Sequence, residues 1–289
     1  MKNAFRFLAL VIALATIAGV AGCSSGAKEV APANDRAVSM MQMLPSNVSE
    51  FTFLDIYALR TDENLADEWS YLNENIFGNA SVSNSINSFG MVYPNYMGMF
   101  EGDFNFAQFL NQFMGSTGNS SYKYGSFNVR AWTDNTSSVL INSTVFIGTD
   151  EDIRSCIDAV NGNVSSLYGN ADIKSMMNRL PVGFELNVQI VDNESASENI
   201  SGLLLVGGSV AKSGDNDIET DIYQFNTSDA AQQYVATASN VSEDGTMQIA
   251  RTQDGAFVTE VLTPLTSTPT ETPALTPEPT STPEPTPAS

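Results

Sequence analysis

Apolar residues recur at helical spacing in five stretches of the chain. Leu65, Trp69, Leu72 and Ile76 fall at i, i+4, i+7 and i+11 behind the acidic opening Asp62-Glu63, which places them on one helix face. Phe106, Phe109, Leu110 and Phe113 make a second stripe. Ile153, Cys156, Ile157 and Val160 make a third, opened by Thr149-Asp150-Glu151-Asp152, which is close to a capping box. Ile173, Met176, Met177 and Leu180 make a fourth that stops at Pro181. The fifth runs from 226 or 227 to about 239, with Ala231, Tyr234, Val235 and Ala238 aligned. Between these stripes lie strand signals. Residues 51–56 form one candidate, and Phe184, Leu186, Val188 and Ile190 alternate with Glu185, Asn187 and Gln189. The first four should be buried and the last three should be exposed or line a polar surface.

Three hairpins are legible. Segments 122–132 and 139–147 are joined by Thr133-Asp134-Asn135, 203–212 and 218–225 flank Ser213-Gly214-Asp215-Asn216, and 247–251 and 257–262 flank Gln253-Asp254-Gly255. Hairpins pair antiparallel, so the fold class is α+β rather than doubly wound. Strand 91–100, helix 105–114 and hairpin 122–148 match strand 217–225, helix 227–239 and hairpin 246–262 in type and order. That order reads as an internal duplication. The expected body spans 38–262 as two lobes, about 38–163 and 164–262, each a mainly antiparallel sheet with helices packed on one face.

The ends read differently. Lys2 and Arg6 precede an almost wholly apolar stretch at 7–17 and a run of small residues, Ala18-Gly19-Val20-Ala21-Gly22. Residues 1–22 therefore read as an export signal, too short for a comfortable membrane span. Val20-Ala21-Gly22-Cys23 resembles the lipobox of prokaryotic lipoproteins, which implies lipidation of Cys23 as the first residue of the mature chain. Such an anchor carries two acyl chains, enough for stable attachment. Residues 23–37 read as a flexible linker. From 263 to 289 the chain is TPLTSTPTETPALTPEPTSTPEPTPAS. Repeated proline removes amide donors, so this segment reads as an extended, disordered stalk of up to about 80 Å.

Charge narrows the function classes. The 289 residues carry 12 Lys+Arg against 33 Asp+Glu, a formal net charge of −21, and no histidine. Nucleic-acid binding through phosphate neutralisation is thereby ruled out, as are Ser-His-Asp catalysis, imidazole metal ligation and histidine switching. Once Lys2 and Arg6 are removed the body is more acidic still and is repelled by anionic head groups. The two cysteines, Cys23 and Cys156, cannot form a disulfide scaffold. Cys156 lies on an apolar stripe and reads as a buried packing residue rather than a redox thiol.

The remaining constellations carry little chemistry. Residues 215–221 (DNDIETD) lack the glycine and terminal acid of a calcium loop. In a strand, Asp217, Glu219 and Asp221 share a face and form a solvated acidic row. Ser-x-x-Lys at Ser25–Lys28, Ser120–Lys123 and Ser209–Lys212 is not helical, so serine and lysine would not meet. Met91, Met97 and Met99 cluster with Phe89, Tyr93, Tyr96, Phe100, Phe104, Phe106, Phe109 and Phe113. Core packing accounts for them, with a soft copper site or an aromatic-lined pocket as alternatives. Ten Asn-X-Ser/Thr sequons occur, at Asn47, Asn79, Asn119, Asn135, Asn142, Asn163, Asn193, Asn199, Asn226 and Asn240. Composition alone would give roughly five, and several of these asparagines suit turns or helix caps.

Several short motifs carry a family resemblance. They are Phe100-Glu101-Gly102-Asp103-Phe104, Tyr122-Lys123-Tyr124-Gly125, and Phe146-Ile147-Gly148-Thr149-Asp150-Glu151-Asp152 ahead of Ile153-Arg154-Ser155-Cys156-Ile157-Asp158. Ser166-Leu167-Tyr168-Gly169-Asn170 and Met176-Met177-Asn178-Arg179-Leu180-Pro181 follow. Over residues 40–190 this series resembles a family of uncharacterised prokaryotic cell-envelope lipoproteins carrying a domain of unknown function. The resemblance implies an exported, two-lobed α+β body and transfers no catalytic residue. The expectation is a lipid-anchored extracytoplasmic protein with a non-enzymatic binding or structural role. It needs no cofactor or metal, and its partners are the membrane and cell-wall or surface-layer components. The alternative is an envelope ligand-binding or glycan-hydrolysing protein using an Asp/Glu pair, which needs two facing carboxylates about 5–9.5 Å apart. A bacterial and an archaeal source both fit.

Overall fold

The structure, a computed structural model, describes residues 30–77, 81–94, 97–114, 119–191, 200–214, 216–242 and 244–265. The expected signal segment, Cys23, most of the linker and the expected stalk (263–289) from 266 on lie outside the described residues, as do Asn79, Asn193 and Asn199. The stalk's start is corrected, because Thr263 and Pro264 pair with Gln248 and Met247 in the sheet.

The linker expectation for 23–37 is corrected at its end. Helix α1 (Ala33–Met43) begins inside that stretch, with Ala33, Arg36 and Ala37 buried. Arg36 explains why. Strand β1 (Glu50–Leu54) leads into helix α2 (Ile56–Thr61), whose N-cap Asp55 accepts from the Ala58 amide. The same carboxylate, through Oδ2, pairs with Arg36 Nη2 at 2.6 Å. Arg36 Nη1 also donates to the Asn87 carbonyl and the Ser88 hydroxyl, both at 2.6 Å, and Nε donates to the Ala31 carbonyl at 2.8 Å. A buried guanidinium is tolerable only when its donors are satisfied in this way. Composition could not show that a lone arginine in an Ala/Pro/Asn-rich stretch is an anchor.

A short 3₁₀ turn then leads to helix α3 (Ala66–Asn75), strands β2 (Ile86–Tyr93) and β3 (Met97–Gly102), and helix α4 (Phe106–Phe113). The segments expected as two strands, 122–132 and 139–147, are four: β4 (Asn119–Tyr124), β5 (Phe127–Trp132), β6 (Thr136–Ile141) and β7 (Thr144–Thr149). Two-residue turns split them, with Gly125 at φ 57° and Asn142 at φ 54° supplying the left-handed backbone that such turns need. Helix α5 (Asp150–Val160) follows its Thr149 cap, and α6 (Ala171–Met177) follows Asn170. The chain closes with β8 (Glu185–Ile190), β9 (Leu203–Ser213), β10 (Asn216–Phe225), α7 (Ser228–Thr237), β11 (Met247–Asp254) and β12 (Phe257–Pro264).

Among the described residues all strands join one 12-stranded antiparallel sheet in the order β11-β12-β10-β9-β8-β1-β2-β3-β7-β6-β5-β4. The segments expected as separate lobes share it, because β1 and β8 pair at its centre, Glu50 opposite Gln189 through Leu54 opposite Glu185. Helices on one face only is the second expectation to be corrected. Phe51, Phe53, Met99, Phe146 and Leu186 pack with α1, α5 and α6. Their strand neighbours Leu54, Phe100 and Val145, with Phe89, pack with α2, α3 and α4. Successive side chains point to opposite faces, so these helices cover both sides. Central strands apolar on both faces require that cover. A third cluster seats Ala231 of α7 on Phe225 and Val258.

On β8, Leu186 and Val188 are buried and Gln189 is exposed, as read. Ile190 is only half-buried, and Phe184, ahead of the strand, packs with the α2–α4 cluster instead.

Candidate functional site

Beyond β1 the sheet changes character on the face that carries α2, α3 and α7. The register aligns Thr52, Asn187, Gly208, Asp221, Glu260 and Arg251 as one row across β1, β8, β9, β10, β12 and β11. The adjacent row aligns Leu54, Glu185, Val210, Glu219 and Leu262. Facing residues in such rows lie about 4.5–5.5 Å apart at Cβ. The acidic residues therefore gather on one surface although the sequence scatters them over 76 positions, from 185 to 260. Gly208 matters here because a Cβ would lie 3.0 Å from Asp221 Oδ1. Its absence leaves room for that carboxyl.

Glu260 is the most enclosed of the group, 3 % exposed. Arg251 Nε pairs with its Oε1, and the Tyr234 hydroxyl donates to the same oxygen at 2.8 Å. Arg251 is held in turn by Asn240 Oδ1 at 3.0 Å. Tyr234 stands 5.2 Å from Tyr223, centroid to centroid. Burial, reinforced by Glu260, pushes the Tyr234 phenol up to about 12. Burial, then the Asp221 charge, pushes Tyr223 higher. Among the described residues Asp221 has no such cation, and it rises to about 7, first through burial and then through the charges of Glu219 and Glu260. Burial also raises Glu185, with Glu219 and Asp217 adding to it. At the other margin Lys212 Nζ bridges Glu68 Oε1 of α3 at 2.8 Å and Asp217 Oδ1 at 2.9 Å. Those two bonds raise its pKa.

This surface can exchange a proton near neutrality at Asp221 and can offer hydrogen-bond acceptors to a polar or cationic ligand. Among the described residues no group of three or more His, Cys, Asp or Glu is placed to hold a metal ion.

The expectation of a solvated row at 217–221 is corrected. Asp217, Glu219 and Asp221 do share a face, but each is only partly exposed, and Lys212 ties Asp217 to α3. Cys156 is fully buried, with Sγ 3.6 Å from Met97 Sδ, and burial pushes its thiol up. Ser209 is buried on the face opposite Lys212, so that pair does not meet. Met97 and Met99 belong to one core cluster and Met91 packs against the other, so the three sulfurs do not converge. Phe89, Phe100, Phe109 and Phe104 pack ring to ring at 5.0, 5.2 and 4.5 Å. Phe89, Phe100 and Phe109 are core, as read, and Phe104 packs on them half-buried, whereas Tyr93 is exposed and Tyr96 lies outside the described residues. Sequence reasoning missed Glu260, Arg251, Tyr223 and Tyr234, whose meeting depends on register. No local pattern marked them, since Glu260 is the lone charge in β12.

No family model matches the chain. A relative, the uncharacterised protein MJ0635 of Methanocaldococcus jannaschii, is 25 % identical over 189 residues, covering 61 % of this chain and 64 % of its own length. The matched part thus spans less than two thirds of that relative. Crystal forms III and I of TP0453 align at TM-scores of 0.45 and 0.47 with 8 % identity, covering 82 % and 78 % of this chain and 93 % and 90 % of theirs. Among the described residues no helix is long and apolar enough to cross a membrane.

Proposed function

We propose that the chain is an extracytoplasmic protein held to the membrane by a lipid on Cys23, and that its body binds an envelope component rather than catalysing a reaction. The anchor rests on Val20-Ala21-Gly22-Cys23 behind an apolar export segment. The observation that carries the binding role is the enclosure of Glu260. A glycan-hydrolysing pair needs both carboxyls open to substrate, whereas Arg251 and Tyr234 already occupy this one. Asp221 beside it still offers a proton-binding carboxyl to a cationic or hydroxyl-rich cell-wall or surface-layer ligand.

A duplicated, two-lobed origin belongs to the same reading. Its support is the sheet order, in which β1-β2-β3-β7-β6 runs outward on one side of the centre and β8-β9-β10-β12-β11 on the other. In each series a helix, α4 or α7, follows the third strand.

Fractionation of wild type and Cys23→Ser tests the anchor. Wild type should partition with membranes and carry acyl chains on its N-terminal peptide, and the variant should be unprocessed or released. An unmodified N-terminus starting elsewhere would sink the anchor. Thermal shift of the full mature chain against envelope glycans tests the body, since a ligand that binds the fold raises its melting temperature. Turnover of any glycan, abolished in Asp221→Asn, would replace binding with hydrolysis.

A further inference from the structure

We infer that Asn119 and Asn240 are N-glycosylated and that their glycans cap the two ends of the sheet. This rests on the extracytoplasmic reading above, since the transferase that reads such sequons works outside the cytoplasm.

All seven sequon asparagines among the described residues are exposed, and all lie in loops, turns or at the first residue of a strand. Several have another reason to be asparagine. Asn135 and Asn142 take left-handed φ of 69° and 54°, and the Asn163 amide donates to Asp158 Oδ1 at 2.9 Å. Asn119 and Asn240 also interact within the fold, and they differ from these in position. Asn119 opens β4, which among the described residues pairs only with β5 and leaves its other side as a sheet edge. Asparagine is depleted in strands, and here it stands extended and exposed on one. Asn240 belongs to the segment lying along the opposite edge. Its carbonyl accepts from the Ile249 amide at 2.9 Å, Ser242 donates to the Met247 carbonyl at 3.0 Å, and Val241 bridges Gln248. Arg251 only donates, so its bond engages Asn240 Oδ1 and leaves Nδ2, the atom to be modified, out of that pair on an exposed residue.

The donor is a glycan on a polyprenyl phosphate or diphosphate. Nδ2 attacks the anomeric carbon, the N–C1 bond forms and the C1–O bond to phosphate breaks. The phosphate keeps that electron pair, and one Nδ2 proton passes to a transferase base. No redox partner is required. At one end β4 presents its unpaired side to other chains, and at the other residues 240–242 pair with β11 over 247–249, so each end keeps open edge, a hazard that bulky or polar cover relieves. A glycan at each end supplies that cover.

Full-length protein purified from the membranes of its own host answers the question by peptide mass spectrometry. Peptides holding Asn119 and Asn240 should carry a glycan mass that is lost in Asn119→Gln, Asn240→Gln and Ser121→Ala. Ser121→Thr, which preserves the sequon, should keep it at Asn119. The doubly substituted Asn119→Gln/Asn240→Gln protein should self-associate at concentrations where wild type sediments as a monomer. Bare Asn119 and Asn240 on a chain whose N-terminal peptide is lipidated Cys23 would overturn the proposal alone. Bare asparagines on a chain still beginning at Met1 would overturn it together with the export reading. Glycans present but without effect on association would overturn the capping role.

Discussion

Replacing Arg36 by methionine isolates one buried charge. The Arg36 side chain is 6 % exposed and the Asp55 side chain 9 %. Methionine fills much of the stem but leaves the Asp55 carboxylate with the Ala58 amide as its remaining partner, and it removes a donor from the Ala31 and Asn87 carbonyls and from the Ser88 hydroxyl, which still donates to Glu101 Oε2 at 3.0 Å. Removing one side of a buried pair costs about 3–5 kcal/mol, against a typical total stability of roughly 5–15 kcal/mol. In urea unfolding the midpoint should fall by about 1–2 M at unchanged slope. Arg36→Lys should recover less than half of the loss, because a point charge cannot serve Asp55, Asn87, Ser88 and Ala31 together. Asp55→Asn keeps an oxygen for the helix cap while removing the charge. The Arg36→Met/Asp55→Asn double variant should therefore be more stable than Arg36→Met alone. A loss below about 1 kcal/mol in Arg36→Met, or strictly additive losses in the double variant, would refute the anchoring role of Arg36. Truncation to residue 38 should destabilise the body, whereas truncation to residue 30 should not.

Asp221 titrates near 7 in the fold against an ordinary 3.8. Between those values the folded state holds a proton that the unfolded chain has released, so stability falls as pH rises from about 4 to 7 and the penalty is complete above 7. Asp221→Asn should therefore melt higher than wild type at pH 8, by up to roughly 4 kcal/mol, with the gain vanishing near pH 4. Equal effects at both pH values in calorimetry would refute the assignment. Leu186→Asp, at a fully buried site on β8, should abolish cooperative unfolding, and retention of a wild-type transition would exclude that packing.

The sequence determined what is local. Helical stripes fixed α3, α4, α5, α6 and α7, because a 3.6-residue period needs no distant partner. Alternation marked β8, and turn residues marked the hairpins. Gly125 and Asn142 escaped, since left-handed turns at these two places become visible only once both flanking strands are paired. Helix α1 escaped because its interior is held by an arginine whose partners lie 5 to 52 positions away. Tertiary structure decided the rest. The apolar pattern of β1 and β3 says that both faces need cover but cannot say which helix covers which face. The candidate site has the same dependence. Asp221, Glu260 and Arg251 read as ordinary surface charges until antiparallel register sets them opposite one another, and a one-residue slip would send each to the opposite face. Register depends on every strand between them, and no local segment of the chain contains it.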